Sequence, residues 1–175
     1  HISDSSYDEN KRWPDGLSPF GFKVVKEMNK QGVMIDISHV SDAAFMKVLE
    51  LSKAPVVATH SSLRHFTPGW ERNVSDEMLI ALAENGGVIQ LCFGSDFVAN
   101  RKDNPDIEVS VKNVVDHIDR VRDLVGIDHV GFGSDFDGEV PLPEDINDVS
   151  KFPNLIEELL IRGYTESEID KILNK

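Results

Sequence analysis

Cysteine is nearly absent from this sequence, and its scarcity excludes an internal disulfide. The only cysteine is Cys92, inside the apolar run 88–93, where we expect a buried structural thiol. No apolar run reaches the length of a membrane-spanning helix, so we predict that this segment does not cross a bilayer. Basic residues are also few, because 18 Lys and Arg stand against 31 Asp and Glu for a net charge of -13. This balance argues against nucleic-acid binding, which needs a basic face.

The sequence also lacks an initiator methionine, since it begins at His1, and it has no signal-like segment. We therefore expect the native N-terminus to lie outside these residues, and the cellular compartment stays unpredicted. The 175 residues suffice for one domain over 1–175, and 40% hydrophobic with 28% charged residues is typical of globular proteins. The acidic excess is compatible with a cation site, although a solvated acidic surface explains it more simply.

Helix and strand signals alternate along the chain. Helical spacing or capping residues predict helices over 20–31, from Ser41 to 52, from Ser75 to 84, over 111–125, over 152–162 and after Thr165. Four β-rich runs lie between them, at 33–38, 55–61, 87–93 and 129–135. Apolar strands separated by helices indicate an α/β fold with four parallel strands and outer helices. The pattern suits either a doubly wound sheet or half of a (β/α)8 barrel of the TIM type.

Polar side chains cluster where these runs end. The first run is followed by His39, the second contains His60, and the last ends at Asp135. Because the carboxyl ends of parallel strands converge, we expect these three side chains to face one cavity. Imidazole and carboxylate are common zinc ligands, so the pattern predicts a metal site that activates water as the nucleophile. The alternatives are polar residues that only satisfy strand ends, and an Asp135 that only caps the next helix.

Six segments, in order along the chain, resemble renal (membrane) dipeptidase and its bacterial relatives. They are GLSPFGFKVVKEMNKQGVMIDISHVSD, APVVATHSSLR, RNVSDEML, ENGGVI, GIDHVGFGSDFDG and FPNLIEELLIRGYTESEI. The resemblance covers nearly the whole chain, and SHVSD, the histidine after PVVAT and GSDFDG are specific in combination. It implies a (β/α)8 barrel with two zinc ions that hydrolyses dipeptides and tolerates D-residues at the C-terminal position.

The resemblance also implies roles for five residues of this chain. His39 and His60 match the two histidines of the second zinc. Asp135 matches an aspartate that accepts a proton and binds the free amine of the substrate. Arg72 matches an arginine that grips the terminal carboxylate, for which a bidentate fork is suited. His1 matches a histidine that contacts the scissile carbonyl; a remnant of a cloning tag is the alternative.

The sequence departs from the family at its start, because the first-strand His-x-Asp and the glutamate that bridges both metals have no match here. We therefore expect the C-terminal half of a zinc dipeptidase barrel, inactive by itself. The expected partners are a dipeptide substrate and the N-terminal half of the barrel, with a homodimer as a further candidate. Two alternatives stay open: a related barrel amidohydrolase, such as an amidase, lactonase or deacetylase, and a non-catalytic fragment.

Overall fold

A three-stranded parallel sheet with seven α-helices forms the framework of the chain. The computed structural model describes residues 1–175. The strands are β1 (Val57–Ser61), β2 (Val88–Cys92) and β3 (Val130–Ser134), in the spatial order β1-β2-β3. The helices are α1 (Pro19–Gln31), α2 (Asp42–Leu51), α3 (Asp76–Glu84), α4 (Ser95–Val98), α5 (Val111–Val125), α6 (Phe152–Ile161) and α7 (Glu166–Leu173). The predicted α/β class with parallel strands is confirmed.

The helix starts follow the capping residues in the sequence. The hydroxyls of Ser41 and Ser75 each accept a backbone N–H of the first turn of α2 and α3. Thr165 and Glu168 form a capping box that opens α7. Gly32, in the left-handed region at φ 69°, ends α1. All six predicted helices are present, and the short helix α4 was not predicted.

The prediction of a full strand over 33–38 is wrong. This segment makes one isolated parallel bridge, between Asp36 and Val57. The physical reason is the Asp36 carboxylate, whose Oδ1 accepts the backbone N–H groups of Ser38 at 2.9 Å and Thr59 at 3.2 Å. A side chain that takes these donors competes with the ladder between the two backbones. The segment still runs beside β1, because Ile37 donates its N–H to the Val57 carbonyl at 2.8 Å.

The hydrophobic core lies where helices α3 and α5 pack against the sheet. Alternate residues of β2, Ile89 and Leu91, are fully buried in one cluster of 30 residues. The cluster takes its helical members at positions three or four apart, among them Leu79, Leu82, Val114, Ile118 and Val121. None of the helices combines the length and the apolar character that crossing a membrane requires. The apolar core therefore lies between the helices and the sheet, and polar residues can occupy the carboxyl ends of the strands.

We expect truncation of Leu82 in α3 to destabilise the fold strongly. Leu82 is fully buried, so Leu82→Ala should lower the free energy of unfolding by about 2–5 kcal/mol. Leu160→Ala in α6 is the matched control, because Leu160 is 52% exposed and its truncation should cost less than about 0.5 kcal/mol. Urea denaturation followed by circular dichroism measures both. Equal losses in the two variants would contradict the packing described here.

Candidate functional site

Three of the predicted site residues lie at the carboxyl ends of neighbouring segments of the sheet. His39 follows the bridge at Asp36, His60 lies in β1, and Asp135 comes directly after β3. His39 and Asp135 have positive φ angles of 69° and 67°, which residues other than glycine rarely adopt. The His39 carbonyl is held by the Ser6 N–H at 2.8 Å. Backbone strain of this kind is often found at functional sites, where the surrounding structure maintains it.

The imidazoles of His39 and His60 converge on one point. Their Nε2 atoms lie 2.8 Å apart, and their ring centroids are 4.8 Å apart. Two nitrogens bound at 2.0–2.1 Å to one tetrahedral zinc would be roughly 3.3 Å apart. A small adjustment of either ring therefore brings both nitrogens to the separation that a shared zinc ion needs.

Hydrogen bonds determine which nitrogen of His60 carries the proton. The Thr59 hydroxyl lies 2.6 Å from Asp36 Oδ2 and 2.8 Å from His60 Nδ1. A carboxylate only accepts, so the hydroxyl donates to Asp36 and must accept the hydrogen of His60 Nδ1. The Nε2 lone pair of His60 is then unprotonated and points at His39. This is the arrangement that a metal-ligating histidine has when a neighbour holds its other nitrogen.

The Nε2 atom of His39 is unprotonated as well. Arg72 Nη2 lies 3.2 Å from it, and a guanidinium can only donate. His39 as a whole is exposed, but this nitrogen is enclosed by Arg72 and His60. Burial, the positive charge of Arg72 and the nearby His60 lower the pKa of His39 to about 4. Two lone pairs thus face each other with no proton between them, an arrangement that a cation stabilises.

The two histidines by themselves would supply part of a metal site and not all of it. No group of three or more His, Cys, Asp or Glu side chains in the chain is arranged to hold an ion. The Asp36 carboxylate is instead bonded to Thr59. Neutral imidazole nitrogens are ligands that zinc prefers, so the chemistry of the donors fits such an ion. A catalytic zinc site takes three protein ligands and a water, and His39 and His60 would supply two of those three.

Arg72 is a buried cation without an anionic partner. Its side chain is 2% exposed and makes no ion pair. Its Nη1 donates to Ser61 Oγ at 2.9 Å, its Nη2 to the His60 carbonyl at 2.6 Å, and its Nε has no hydrogen-bond partner. The guanidinium lies 5.0 Å from the centre of the Phe97 ring. Burial lowers the pKa of Arg72, but a guanidinium stays charged in proteins.

Asp135 supplies negative charge on the other side of these residues. Its charge acts on both His39 and Arg72, and it is half-buried. The Cys92 thiol lies 3.8 Å from Asp135 Oδ2, and burial raises the pKa of this thiol to about 12. The thiol therefore stays protonated and can donate weakly to the carboxylate. A Cβ on Gly138 would lie 2.4 Å from Asp135 Oδ1, so a side chain at this position would displace the Asp135 carboxylate.

His1 is apart from this group in the structure. It is exposed, and its backbone carbonyl accepts the hydroxyl of Ser18 at 2.9 Å near the start of α1. None of the hydrogen bonds or ring contacts of the site involves its imidazole. Its predicted contact with a scissile carbonyl therefore stays a prediction.

Sequence reasoning found the residues at the strand ends and missed those that hold them. Thr59 is one of these, although a threonine directly before a histidine could have suggested a partner for Nδ1. Phe97 has only its hydrophobic character in the sequence. His117 is another, and it is fully buried in α5. Its position three residues after Val114 and one before Ile118 places it on the apolar face of that helix, which was a usable signal.

Comparison with known proteins adds a family and several solved structures. The chain matches the model of the membrane dipeptidase family, peptidase family M19, over residues 2–175. A metallo peptidase from Rhodobacter sphaeroides, liganded with a phosphinate mimic of the dipeptide L-Ala-D-Ala, is 36% identical at a TM-score of 0.84. That alignment covers 92% of this chain and 45% of the other.

Two structures from Pseudomonas aeruginosa are also similar. The probable dipeptidase PvdM is 29% identical at a TM-score of 0.86, with 97% of this chain and 56% of the other covered. An amidohydrolase is 29% identical at a TM-score of 0.83, with 98% and 57% covered. The present chain thus spans about half the length of the solved structures that it matches.

The hydrogen bonds predict that His60 carries its proton on Nδ1 in the metal-free protein. Nitrogen-15 NMR of the imidazole measures this directly. Thr59→Val removes the hydroxyl and should admit the other tautomer, whereas Thr59→Ser keeps the hydroxyl and should not. Loss of such an orienting partner should also weaken zinc binding about 10- to 100-fold in Thr59→Val. A proton on Nε2 of His60 in the unsubstituted protein would contradict this arrangement.

Proposed function

Since the chain belongs to the membrane dipeptidase family, peptidase family M19, we propose that it forms the substrate-binding half of a zinc-dependent dipeptidase. Its four predicted strand positions, three formed as parallel strands and one as a bridge, would make half of a (β/α)8 barrel. The active enzyme then needs the N-terminal half of the barrel as a partner. In that arrangement, residues 1–175 alone do not hydrolyse peptides, because they offer two metal ligands.

The observation that carries the proposal is the buried guanidinium of Arg72, which makes no ion pair within the chain. A buried charge without a partner is costly, and a fork of N–H donors is complementary to a carboxylate. The free Nε–H of Arg72 is an additional donor. A dipeptide has one C-terminal carboxylate, and this group would reach Arg72 from the side of the exposed His39 ring. The likeness to a metallo peptidase that binds a mimic of L-Ala-D-Ala supports the same class of substrate.

His39 and His60 would hold one zinc ion of the centre through their Nε2 atoms. When bound, zinc acts as a Lewis acid that activates water and polarises a carbonyl. The Asp36–Thr59 pair keeps the His60 lone pair available for it. The depressed pKa of His39 keeps that imidazole unprotonated at neutral pH, as a ligand must be.

Asp135 would accept a proton during hydrolysis and bind the free amine of the substrate. It lies directly after β3, and its charge is felt at both His39 and Arg72, so it borders both parts of the site. Amine and carboxylate recognition at opposite ends of the ligand would restrict the substrate to short peptides. His1 would contact the scissile carbonyl in the assembled enzyme.

A related barrel amidohydrolase is the second candidate, because one of the similar structures is an amidohydrolase. Amidases, lactonases and deacetylases use the same metal chemistry but do not need to recognise a peptide carboxylate. Arg72 distinguishes the two candidates, since only a substrate with a free carboxylate benefits from a buried guanidinium. A non-catalytic fragment would show neither activity when joined to the other half.

We expect Arg72→Lys to weaken dipeptide binding in an active enzyme that contains this chain. The variant should raise KM more than it lowers kcat, because a point charge replaces a two-pronged donor. Dipeptides with an amidated C-terminus should be poor substrates of the unsubstituted enzyme and little affected by the change. Arg120→Lys is the matched control, because Arg120 forms an ion pair with Asp76 outside the site. It should leave KM and kcat unchanged for both kinds of substrate. An equal loss of kcat/KM on free and amidated peptides would show that Arg72 does not bind the carboxylate.

We expect Asp135→Asn to keep the fold and the metal but to lose most turnover. The amide has nearly the same size as the carboxylate but cannot accept a proton, so kcat should fall about 10²–10⁴-fold. Asp128→Asn is the control, because Asp128 is exposed and pairs with Lys171 outside the site. Steady-state kinetics with metal content measured in parallel tests this prediction. Near-normal turnover in Asp135→Asn would leave Asp135 with a structural role.

A further inference from the structure

Two buried polar side chains join the loop after β1 to the loop after β2. Asn73 and His117 are both fully buried, one directly after Arg72 and the other in the middle of α5. A buried amide and a buried imidazole need hydrogen-bond partners, and the partners of these two form a regular arrangement. Neither side chain is hydrogen-bonded to the two histidines of the proposed metal site.

Asn73 makes the first bridge. Its Oδ1 accepts the backbone N–H of Ser62 at 3.2 Å, and its Nδ2 donates to the carbonyl of Phe97 at 2.8 Å. The same Nδ2 donates its other hydrogen to Thr67 Oγ1 at 2.7 Å. Both hydrogens of the amide nitrogen are thereby donated, and the amide joins the residue after β1 to the end of α4.

His117 makes the second bridge, one residue further along both loops. Its Nδ1 accepts the backbone N–H of Leu63 at 3.0 Å, and its Nε2 lies 3.2 Å from the carbonyl of Val98. A carbonyl only accepts, so Nε2 donates and the ring must be neutral. Burial supports this state, because it lowers the pKa of His117 to about 4.

The two bridges therefore bind neighbouring backbone groups: the N–H groups of residues 62 and 63 on one loop, and the carbonyls of residues 97 and 98 on the other. The Phe97 and Val98 carbonyls end a four-residue helix and have no partners within it. Asn73 and His117 satisfy these carbonyls and set the distance between α4 and the end of β1. Arg72 spans this same distance, since its guanidinium is bonded to Ser61 Oγ on β1 and lies over the Phe97 ring.

We infer that Asn73 and His117 are positioning residues for the carboxylate clamp, holding Ser61 and the Phe97 ring on either side of the Arg72 guanidinium. This inference rests on the proposed function, in which Arg72 binds the C-terminal carboxylate of a dipeptide. The two bridges act through Arg72 and touch neither the substrate nor the metal. Their loss lets the two loops move relative to each other and displaces the guanidinium from the bound carboxylate.

The test uses an active enzyme that contains this chain, with Asn73→Leu and His117→Phe as variants. Each deletes the two hydrogen bonds of its bridge, and Asn73→Leu also deletes the bond to Thr67. Each should raise KM for dipeptides with a free carboxylate by about 10- to 100-fold, the cost of misplacing a binding group by about 1 Å. Each should leave kcat, and the efficiency on amidated dipeptides, within about twofold. Leu155→Ala in α6, fully buried and outside both bridges, is the control for lost stability and should not change the ratio of the two substrates.

A double-mutant cycle with Arg72→Lys separates positioning from general damage. If the bridges act through Arg72, deleting a bridge in the Arg72→Lys enzyme should change KM by less than about twofold. An effect as large as in the unsubstituted enzyme, or equal losses on free and amidated substrates, would overturn the inference. An unsubstituted enzyme that does not distinguish free from amidated dipeptides would instead overturn the proposed function of Arg72, and the inference with it.

Phe97→Leu is the milder variant, in case a bridge deletion prevents folding. It removes the ring beneath the guanidinium and keeps the backbone carbonyl that Asn73 holds. A raised KM for free dipeptides alone would support the inference. Unchanged discrimination between free and amidated dipeptides would overturn it, because the bridges would then have no ring to position.

Discussion

The buried guanidinium of Arg72 is the constraint around which the polar residues of this chain are arranged. Being 2% exposed, it must be held by acceptors from the protein, and it uses a serine hydroxyl and a backbone carbonyl rather than a carboxylate. Neutral acceptors stabilise the cation without neutralising it, so no ion pair cancels its charge. The ring of Phe97 adds a cation–π contact on one face and excludes water there.

The histidine pair depends on the same guanidinium. The Nε2 lone pair of His39 now accepts a hydrogen from Arg72, and His60 presents a second lone pair to it at 2.8 Å. One lone pair cannot accept a hydrogen from a guanidinium and bind a metal ion at the same time. The proposed metal ligands and the proposed carboxylate-binding group are therefore adjacent at His39. The Asp36–Thr59 pair acts on the same histidine pair, because it orients the ring of His60. The same arrangement affects the segment 33–38, where the Asp36 carboxylate accepts backbone N–H groups and only one bridge to β1 forms.

Local signals in the sequence predicted six of the seven helices and all three strands, and they wrongly predicted a fourth strand over 33–38. Capping hydroxyls such as Ser41 and Ser75 act within three residues, so they can be read without knowing the fold. The segment 33–38 has the composition of a strand, but Asp36 inside it accepts N–H groups that a regular ladder would use. Nothing in the local pattern distinguishes an aspartate that points to solvent from one that takes over backbone donors.

The sequence by itself determined the alternation of helices and strands and the placement of His39, His60 and Asp135 at strand ends. It also carries the family resemblance that pointed to Arg72 as a candidate site residue. These properties depend on neighbouring residues or on recognisable motifs. Only the tertiary structure decided which nitrogen of His60 is free, that Arg72 is buried without an anion, and that His117 bridges two loops. The physical reason is distance along the chain: His39 meets His60 across 21 residues, and Leu63 meets His117 across 54. Such contacts are set by how helices and strands pack, and the hydrogen bonds that assign each proton exist only after that packing has formed.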